Sequence, residues 1–284
     1  MNIYFTMKLL YRTSPAIPFV ILLLVLLSCK KTNDTNQQVL PASKHGIFGK
    51  ILLYDEYGDI VSDYSGITIK GDYKDTTRTN PVTNTIFVFD STFSLVPDAQ
   101  GNIIDSNCIS GIYSFTFLKD QFGTNKVVGF SHSTTSGDTL TSIILAKIPL
   151  ATITIDTVTI TPDYKLLNIT RKVTLTGDAS RNYGVVSRYF FSNSVNVSNK
   201  DYSYQWVSGA TIGNGGTISS VNVQKSTDKF VSSGIDLSKP VYMRAYIDNI
   251  QYYGYLDSVN AKTMVFPNVT SPSRVVKLPT IILQ

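Results

Sequence analysis

The stretch Ala151-Thr152-Ile153-Thr154-Ile155-Asp156-Thr157-Val158-Thr159-Ile160 alternates apolar and polar side chains over most of its length. A period of two sends successive side chains to opposite faces of a strand, whereas a helix would group its apolar residues three and four apart. Nearly every residue in it is β-branched, which restricts χ1 and favours a pleated surface. Working outward, the same signature recurs. Upstream, Gly111-Ile112-Tyr113-Ser114-Phe115-Thr116-Phe117 alternates and Lys126-Val127-Val128-Gly129-Phe130 is strand-like. Downstream, strand-like runs fall around 171–176, 184–191, 202–206, 217–223, 240–248, 251–257 and 275–283. Strands at this spacing without a helical segment predict an all-β fold of sandwich type. Composition agrees: Ser, Thr, Asn, Tyr, Val and Ile dominate, and Glu56 is the only glutamate.

Turn chemistry punctuates the strands. Asp55-Glu56-Tyr57-Gly58-Asp59 and Asp98-Ala99-Gln100-Gly101-Asn102 share a spacing in which aspartate bonds nearby backbone and glycine takes positive φ. Gly49-Lys50-Ile51-Leu52-Leu53-Tyr54 and the alternating Gly66-Ile67-Thr68-Ile69-Lys70-Gly71 supply earlier strands. Ile148-Pro149-Leu150 marks a boundary. The expected organisation is therefore residues 1–28 as a signal peptide, 29–44 as a tether, and β-sandwich domains over 45–148 and 149–284.

The N-terminus reads as targeting information rather than fold. Lys8 and Arg12 form a basic region before the apolar run Ala16–Leu27, which is shorter than the roughly 20 residues a spanning helix needs. It ends in Leu26-Leu27-Ser28-Cys29. That ending resembles the lipobox of bacterial lipoproteins, which implies cleavage between Ser28 and Cys29 and lipid on the Cys29 sulfur. Two or more acyl chains give stable anchoring, at roughly 0.8 kcal/mol per buried CH₂. Either Met1 or Met7 serves as the start. Loss of Lys8 and Arg12 with the leader lowers the formal net charge from +5 to +3. The remaining basic residues are scattered, which argues against nucleic acid as a partner. Residues 30–44 are polar and aperiodic, as a tether should be.

Residues 45–148 resemble the transthyretin-like, carboxypeptidase-regulatory-like sandwich of Bacteroidetes surface lipoproteins, through Gly49, the Asp55–Gly58 turn, Gly66-Ile67-Thr68-Ile69 and Gly111-x-Tyr113-x-Phe115. In the second half, Ile235-x-Leu237-x-x-Pro240-x-Tyr242-x-Arg244-Ala245-Tyr246 resembles the late strands of fibronectin type III and immunoglobulin-like domains. That resemblance implies a corner-capping role for Tyr242, with Tyr253-Gly254-Tyr255 as the next hairpin strand after an Asp248-Asn249 turn. A two-domain lipoprotein of this order is similar to accessory lipoproteins encoded beside SusC/SusD-type glycan-uptake systems. The resemblance implies an outer-membrane location, facing either the cell surface or the periplasm, and glycan capture or complex assembly.

Catalysis needs a positioned base or nucleophile. His45 at the tether junction and His132 in a Ser/Thr-rich segment read as surface histidines. Cys108, the cysteine remaining after Cys29 is acylated, reads as a small core residue. Asp55, Glu56, Asp59 and Asp63 offer oxygens for calcium but do not match the EF-hand spacing, and read as solvated turn acids. No enzyme, metal or cofactor is expected, and a hydrolase is the least favoured reading. Glycan contact would use exposed aromatics. Tyr202-x-Tyr204-x-Trp206 places three rings on one strand face, and Tyr252-Tyr253 offers another patch. Trp206, Tyr204, Tyr252 and Tyr253 are thus the candidate ligand contacts. The competing reading makes Trp206 an inter-sheet core residue, and a structural or adhesive protein without a small ligand is the alternative function.

Overall fold

The computed structural model describes residues 46–79, 86–106, 108–133, 137–163, 166–225 and 228–280. The signal peptide, the cleavage site at Ser28, the lipid-bearing Cys29, the tether and His45 lie outside them. The described residues form one compact unit.

The early strands are β1 (Ile47–Tyr54), β2 (Ile60–Val61), β3 (Thr68–Thr79), β4 (Ile86–Leu95), β5 (Asn102–Asp105), β6 (Gly111–Leu118), β7 (Asn125–His132), β8 (Asp138–Thr139) and β9 (Ile143–Ala146). β1 organises one sheet. It pairs antiparallel with β5 and β2 along one edge and parallel with β8 and β9 along the other. The second sheet runs β4-β3-β6-β7, all antiparallel. Alternate residues of both sheets meet in a core that includes Ile51, Leu53, Ile69, Phe115, Phe117 and Leu145. Each such side chain contributes roughly 1.5–3 kcal/mol by leaving water.

The later strands are β10 (Ala151–Ile160), β11 (Leu166–Leu175), β12 (Tyr183–Ser192), β13 (Tyr204–Val207), β14 (Thr211–Gly213), β15 (Gly216–Lys225), β16 (Tyr242–Asn249), β17 (Tyr255–Leu256), β18 (Met264–Val265) and β19 (Val276–Lys277), with one helical turn α1 (Asp228–Ser232). One sheet is β10-β11-β15. The facing sheet is β13-β12-β16-β19, with β14 continuing along the β12 edge where β13 stops. Their core includes Ile169, Val173, Val185, Tyr189, Phe191, Met243 and Ile247. Within β10 the register slips between Ile155 and Thr157. Asp156 and Thr157 are consecutive polar residues there, so one unpaired residue restores the apolar phase on both sides. No helix among the described residues is long and apolar enough to cross a membrane.

A third, smaller cluster covers the outer face of β12 and β16. Phe190, Val197, Tyr246, Phe266 and Val269 pack there, under the chain that runs from Tyr252 to Val275. This segment does not form the expected hairpin with β16. β16 extends through Asp248 and Asn249 and pairs with β19, while β17 pairs with β18. Asp248 is 0% exposed and belongs to a strand, not to a turn.

The two larger cores are tied by specific contacts. Asn249, itself buried, donates from Nδ2 to the carbonyls of Asp55 (2.9 Å) and Lys147 (3.0 Å). Tyr57 meets Tyr183 edge-on at 5.0 Å, and the Arg181 guanidinium lies 3.8 Å over the Tyr57 ring while pairing with Asp59. The Tyr253 hydroxyl donates to the Gly123 carbonyl at 2.8 Å. A Cβ at Gly123 would stand 1.8 Å from Oδ1 of Asn268, so glycine is required for that close approach.

Candidate functional site

The four candidate aromatic contacts do not form one platform. On β13, Trp206 stacks on Tyr189 at 5.0 Å and Tyr204 stacks on Phe191 at 5.8 Å, both half-buried against the second core. Tyr202 departs from the expected shared face. The strand begins only at Tyr204, and the Tyr202 ring sits 4.8 Å from Phe190, on the opposite side of β12, with its hydroxyl donating to the Met264 carbonyl. Tyr252 is 45% exposed, with its ring 5.0 Å from the Arg188 guanidinium. Tyr253 turns the other way, toward Gly123, and burial pushes its phenol well above the ordinary range.

The corner role implied for Tyr242 falls to another tyrosine. The Tyr183 hydroxyl donates to the Leu150 carbonyl (2.8 Å) and accepts from the Gly177 amide (3.0 Å), six residues upstream. His132 is also not on the surface. It is 3% exposed, its Nδ1 lies 2.7 Å from Asp138 Oδ2, and its ring packs edge-on against Tyr113. The Ser133 amide and His132 together hold the Asp138 carboxyl below its usual range. Cys108 is a core residue, and burial pushes its thiol up to about 12. A thiol so far from ionisation is a poor nucleophile at neutral pH. The acids weighed for calcium are engaged instead. Asp55 caps its own turn through the Tyr57 and Asp59 amides, Glu56 pairs with Lys147 at 3.2 Å, and Asp59 pairs with Arg181.

Among the described residues, a groove shaped to receive a ligand lies on the β4-β3-β6-β7 sheet. Tyr73, Tyr113, Phe115 and Phe117 face the core, so the strand period sends Asp72 and Lys74 of β3, and Ile112 and Ser114 of β6, to the other face. Cross-strand register sets Asp72 opposite Thr92 and Ser114, and Lys74 opposite Asp90 and Ile112. These residues line a groove of about 910 Å³, closed at one side by Gly129 of β7 and by Val259, which follows β17. The volume is that of a small-ligand pocket. Ile112 and Val259 are large exposed apolar residues in its wall. No hydrogen bond or ion pair within the described residues engages the side chains of Asp72, Lys74 or Asp90. Sequence reasoning missed this site, because none of its polar residues belongs to a motif. The alternation of β3 and β6 was the available signal.

Two buried arginines define the polar interior of the second half. Arg188, on the outer face of β12, is 1% exposed and donates from Nε to Asp248 at 2.9 Å and from Nη1 to Gln205 at 2.7 Å, with Phe266 stacked 3.7 Å from its guanidinium. Arg171 is 2% exposed on the inner face of β11 and has no carboxylate partner among the described residues. Burial pushes its guanidinium down from its ordinary range. Its donors reach Ser220 Oγ (3.1 Å) and Thr211 Oγ1 (2.9 Å). With the Asn222 amide turned so that its oxygen faces the guanidinium, that oxygen accepts from Arg171 Nε (2.8 Å) and the Tyr189 hydroxyl (2.6 Å).

No protein-family model matches the chain, and no curated protein matches it. Among solved structures, it is similar to a DUF3823 family protein from Parabacteroides merdae ATCC 43184, with 11% identity over 84% of this chain and 100% of that one, at a TM-score of 0.29. It is also similar to a candidate carbohydrate binding protein from Bacteroides uniformis ATCC 8492, with 17% identity over 83% of this chain and 99% of that one, at a TM-score of 0.29. The full-length major pilin SpaD from Corynebacterium diphtheriae aligns with 10% identity over 82% of this chain and 65% of that one, at a TM-score of 0.26. Likenesses at these TM-scores carry no functional argument. The all-β assignment rests on the sheets themselves.

Proposed function

We propose that this chain is a non-catalytic accessory protein of the cell envelope, anchored to the outer membrane by lipid on Cys29, and that the groove over β3, β4, β6 and β7 is its ligand-contacting surface. The observation that carries this reading is the groove itself: about 910 Å³ lined by two carboxylates and an ammonium without a partner among the described residues, and by several hydroxyls. Asp72 and Asp90 accept hydrogen bonds from hydroxyl pairs, Lys74 donates one, and Ile112 with Val259 receives an apolar edge. This is the chemistry that recognises a hydroxyl-rich ligand such as a glycan. A SusC/SusD-like complex would bring such a ligand to it.

The binding test uses the full chain in detergent on a glycan array. Retention of a glycan, lost when Asp72→Asn and Asp90→Asn are combined, is the expected result. Retention unchanged in that double variant would remove the groove from the reading. The anchoring test compares Cys29→Ala with the natural chain in fractionated cells. The variant is expected to leave the membrane fraction, and its staying there would overturn the lipid anchor. Proteinase treatment of intact and permeabilised cells then decides which side of the outer membrane the protein faces.

The ties between the two larger cores favour a second reading, a structural spacer. Asn249, Tyr57, Tyr183 and Tyr253 are spent on holding the sheets together. A spacer predicts no array retention and co-purification with a surface assembly.

A further inference from the structure

The floor of the groove over β3, β4, β6 and β7 carries an uneven charge. Asp72 and Lys74 lie on the outer face of β3, and Asp90 lies on the same face of β4, directly across from Lys74. Asp72 pairs with Thr92, two residues further along β4, so the two aspartates stand on a cross-strand diagonal. Such positions are about 7–8 Å apart, within reach of one ligand group placed between them. Lys74 forms no ion pair with either carboxylate among the described residues, and all three side chains are exposed. Two negative charges therefore share the floor with one positive charge.

A bulge builds the flank beside that floor. The pairing of β6 with β7 slips between Tyr113 and Phe115, and there Gly129 takes φ of +69° while its amide donates to Ser114 Oγ at 3.3 Å. Bulges redirect side chains out of the regular pleat and are common beside binding sites. A Cβ at Gly129 would stand 2.9 Å from Cγ1 of Val259, so glycine lets the loop after β17 close down on the sheet. Val259 and Ile112, both exposed, thereby give the groove an apolar flank next to its charged floor. The chain as a whole carries the opposite charge, a formal net +5. A cationic ligand is repelled by the protein at large and attracted at this spot, so its binding reports the local site.

We propose that the groove selects an amino sugar: an oligosaccharide with unacetylated amines, one of whose ammonium groups sits between Asp72 and Asp90 while a sugar face lies against Ile112 and Val259. An ammonium has three N–H donors, so it serves both carboxylates at once, and each of those hydrogen bonds is charge-assisted. A hydroxyl has one donor and serves only one of them. An acidic sugar would bring a third negative charge to the floor. At about 910 Å³ the groove lies at the upper end of small-ligand pockets, which suits several linked sugar units. This inference rests on the groove being the ligand-contacting surface, and adds to that reading the class of ligand.

The test is calorimetric titration of the full chain in detergent, at about pH 6 where amines are charged, with the glucosamine tetrasaccharide of chitosan and, separately, with the fully N-acetylated tetrasaccharide of chitin. The two share one backbone and differ in charge at each nitrogen. The amine form is expected to bind saturably, about tenfold or more tighter than the acetylated form, and to weaken as salt is raised. Asp72→Asn and Asp90→Asn each keep an acceptor oxygen and remove a charge. Each is expected to weaken the amine form about tenfold, as loss of a charged hydrogen bond does, and so to shrink the preference for it. Because both side chains are exposed, the variants are expected to keep the fold, which circular dichroism checks. Equal binding of the two tetrasaccharides, or a preference for the acetylated one, overturns the amino-sugar assignment; if that binding is lost when both aspartates are replaced, the groove stands as a site for neutral glycans. Binding of the amine form that survives both substitutions overturns the assignment and the groove with it. Binding of neither tetrasaccharide also overturns the assignment, and the glycan array then decides the groove by itself.

Discussion

Arg188 and Arg171 are almost equally buried, at 1% and 2% exposure, and their surroundings are opposites. Arg188 faces outward from its sandwich, beneath the segment that runs from Tyr252 to Val275. It is matched by a carboxylate, an amide oxygen and an aromatic face. Arg171 faces inward between the sheets, and among the described residues only neutral oxygens meet it. The first arrangement is internally complete in charge, and the second lacks one negative charge. Burial by itself therefore says little about what an arginine does. The charge left over after its partners are counted separates the two sites.

The largest effect is expected where the complete pair is broken. Arg188→Met leaves Asp248 buried alone, and stability measured by urea unfolding should fall by about 3–5 kcal/mol. Replacing both partners, Arg188→Met with Asp248→Leu, should recover much of that loss, because no charge then remains buried. A double variant as unstable as the single one would show that the ring contact with Phe266, not the charge pair, holds this region.

A smaller loss is expected at the incomplete site. Arg171→Met leaves neutral hydroxyls and an amide unsatisfied, at a cost of about 1–3 kcal/mol, and removes a buried cation that no carboxylate among the described residues balances, so the net loss should fall well below that at Arg188. A loss as large as that at Arg188 would erase the contrast between the two sites.

The smallest effect is in pH dependence. Burial holds the Asp248 carboxyl up at about 6 against its usual 3.8, although Arg188 opposes the shift. The folded protein thus keeps a proton that the unfolded chain has released. That stabilisation is fully present below about pH 4 and is lost as pH rises through about 6. Asp138, whose folded carboxyl is held below its usual range, acts in the opposite sense, its contribution being lost as the solution is acidified. The difference in stability between the natural chain and Asp248→Asn should therefore fall between pH 4 and 6. The corresponding difference for Arg171→Met should stay flat, since no carboxylate among the described residues pairs with it.

Local chemistry was legible in the sequence. In both Asp-x-x-Gly turns, one aspartate oxygen accepts from the backbone amides two and four residues on, at 2.7–2.9 Å. Gly58 and Gly101 take φ of +86° and +79°. These contacts involve neighbours in the chain, so spacing alone specifies them. Their outcome differs: the first turn joins the paired strands β1 and β2, while the second links β4 to β5 in separate sheets. Burial of Cys108 was legible for the same reason, from alternation and residue type.

Misreadings arose where a residue's fate depends on a distant segment. Tyr202 was grouped with Tyr204 and Trp206 by period two, but a strand period holds only once the strand has begun. Tyr202 precedes β13 and follows the Phe266 segment instead. His132 sits among serines and threonines, yet Asp138 and Tyr113 enclose it. The groove and the Arg171 cluster were invisible for a related reason. Lys74 with Asp90, and Arg171 with Ser220, are brought together by pairing across strands, and Arg171 with Thr211 by contact across the two sheets.

The sequence by itself determined that this protein is all-β, where its turns bend and which residues prefer a core, because strand period, β-branching and turn hydrogen bonds act over a few residues. Tertiary structure alone decided which tyrosine closes a corner, which histidine is buried, which arginine finds an acid and where a groove opens. Those outcomes depend on sheet register and facing, which bring together residues far apart in the chain, and a one-residue slip would reverse them.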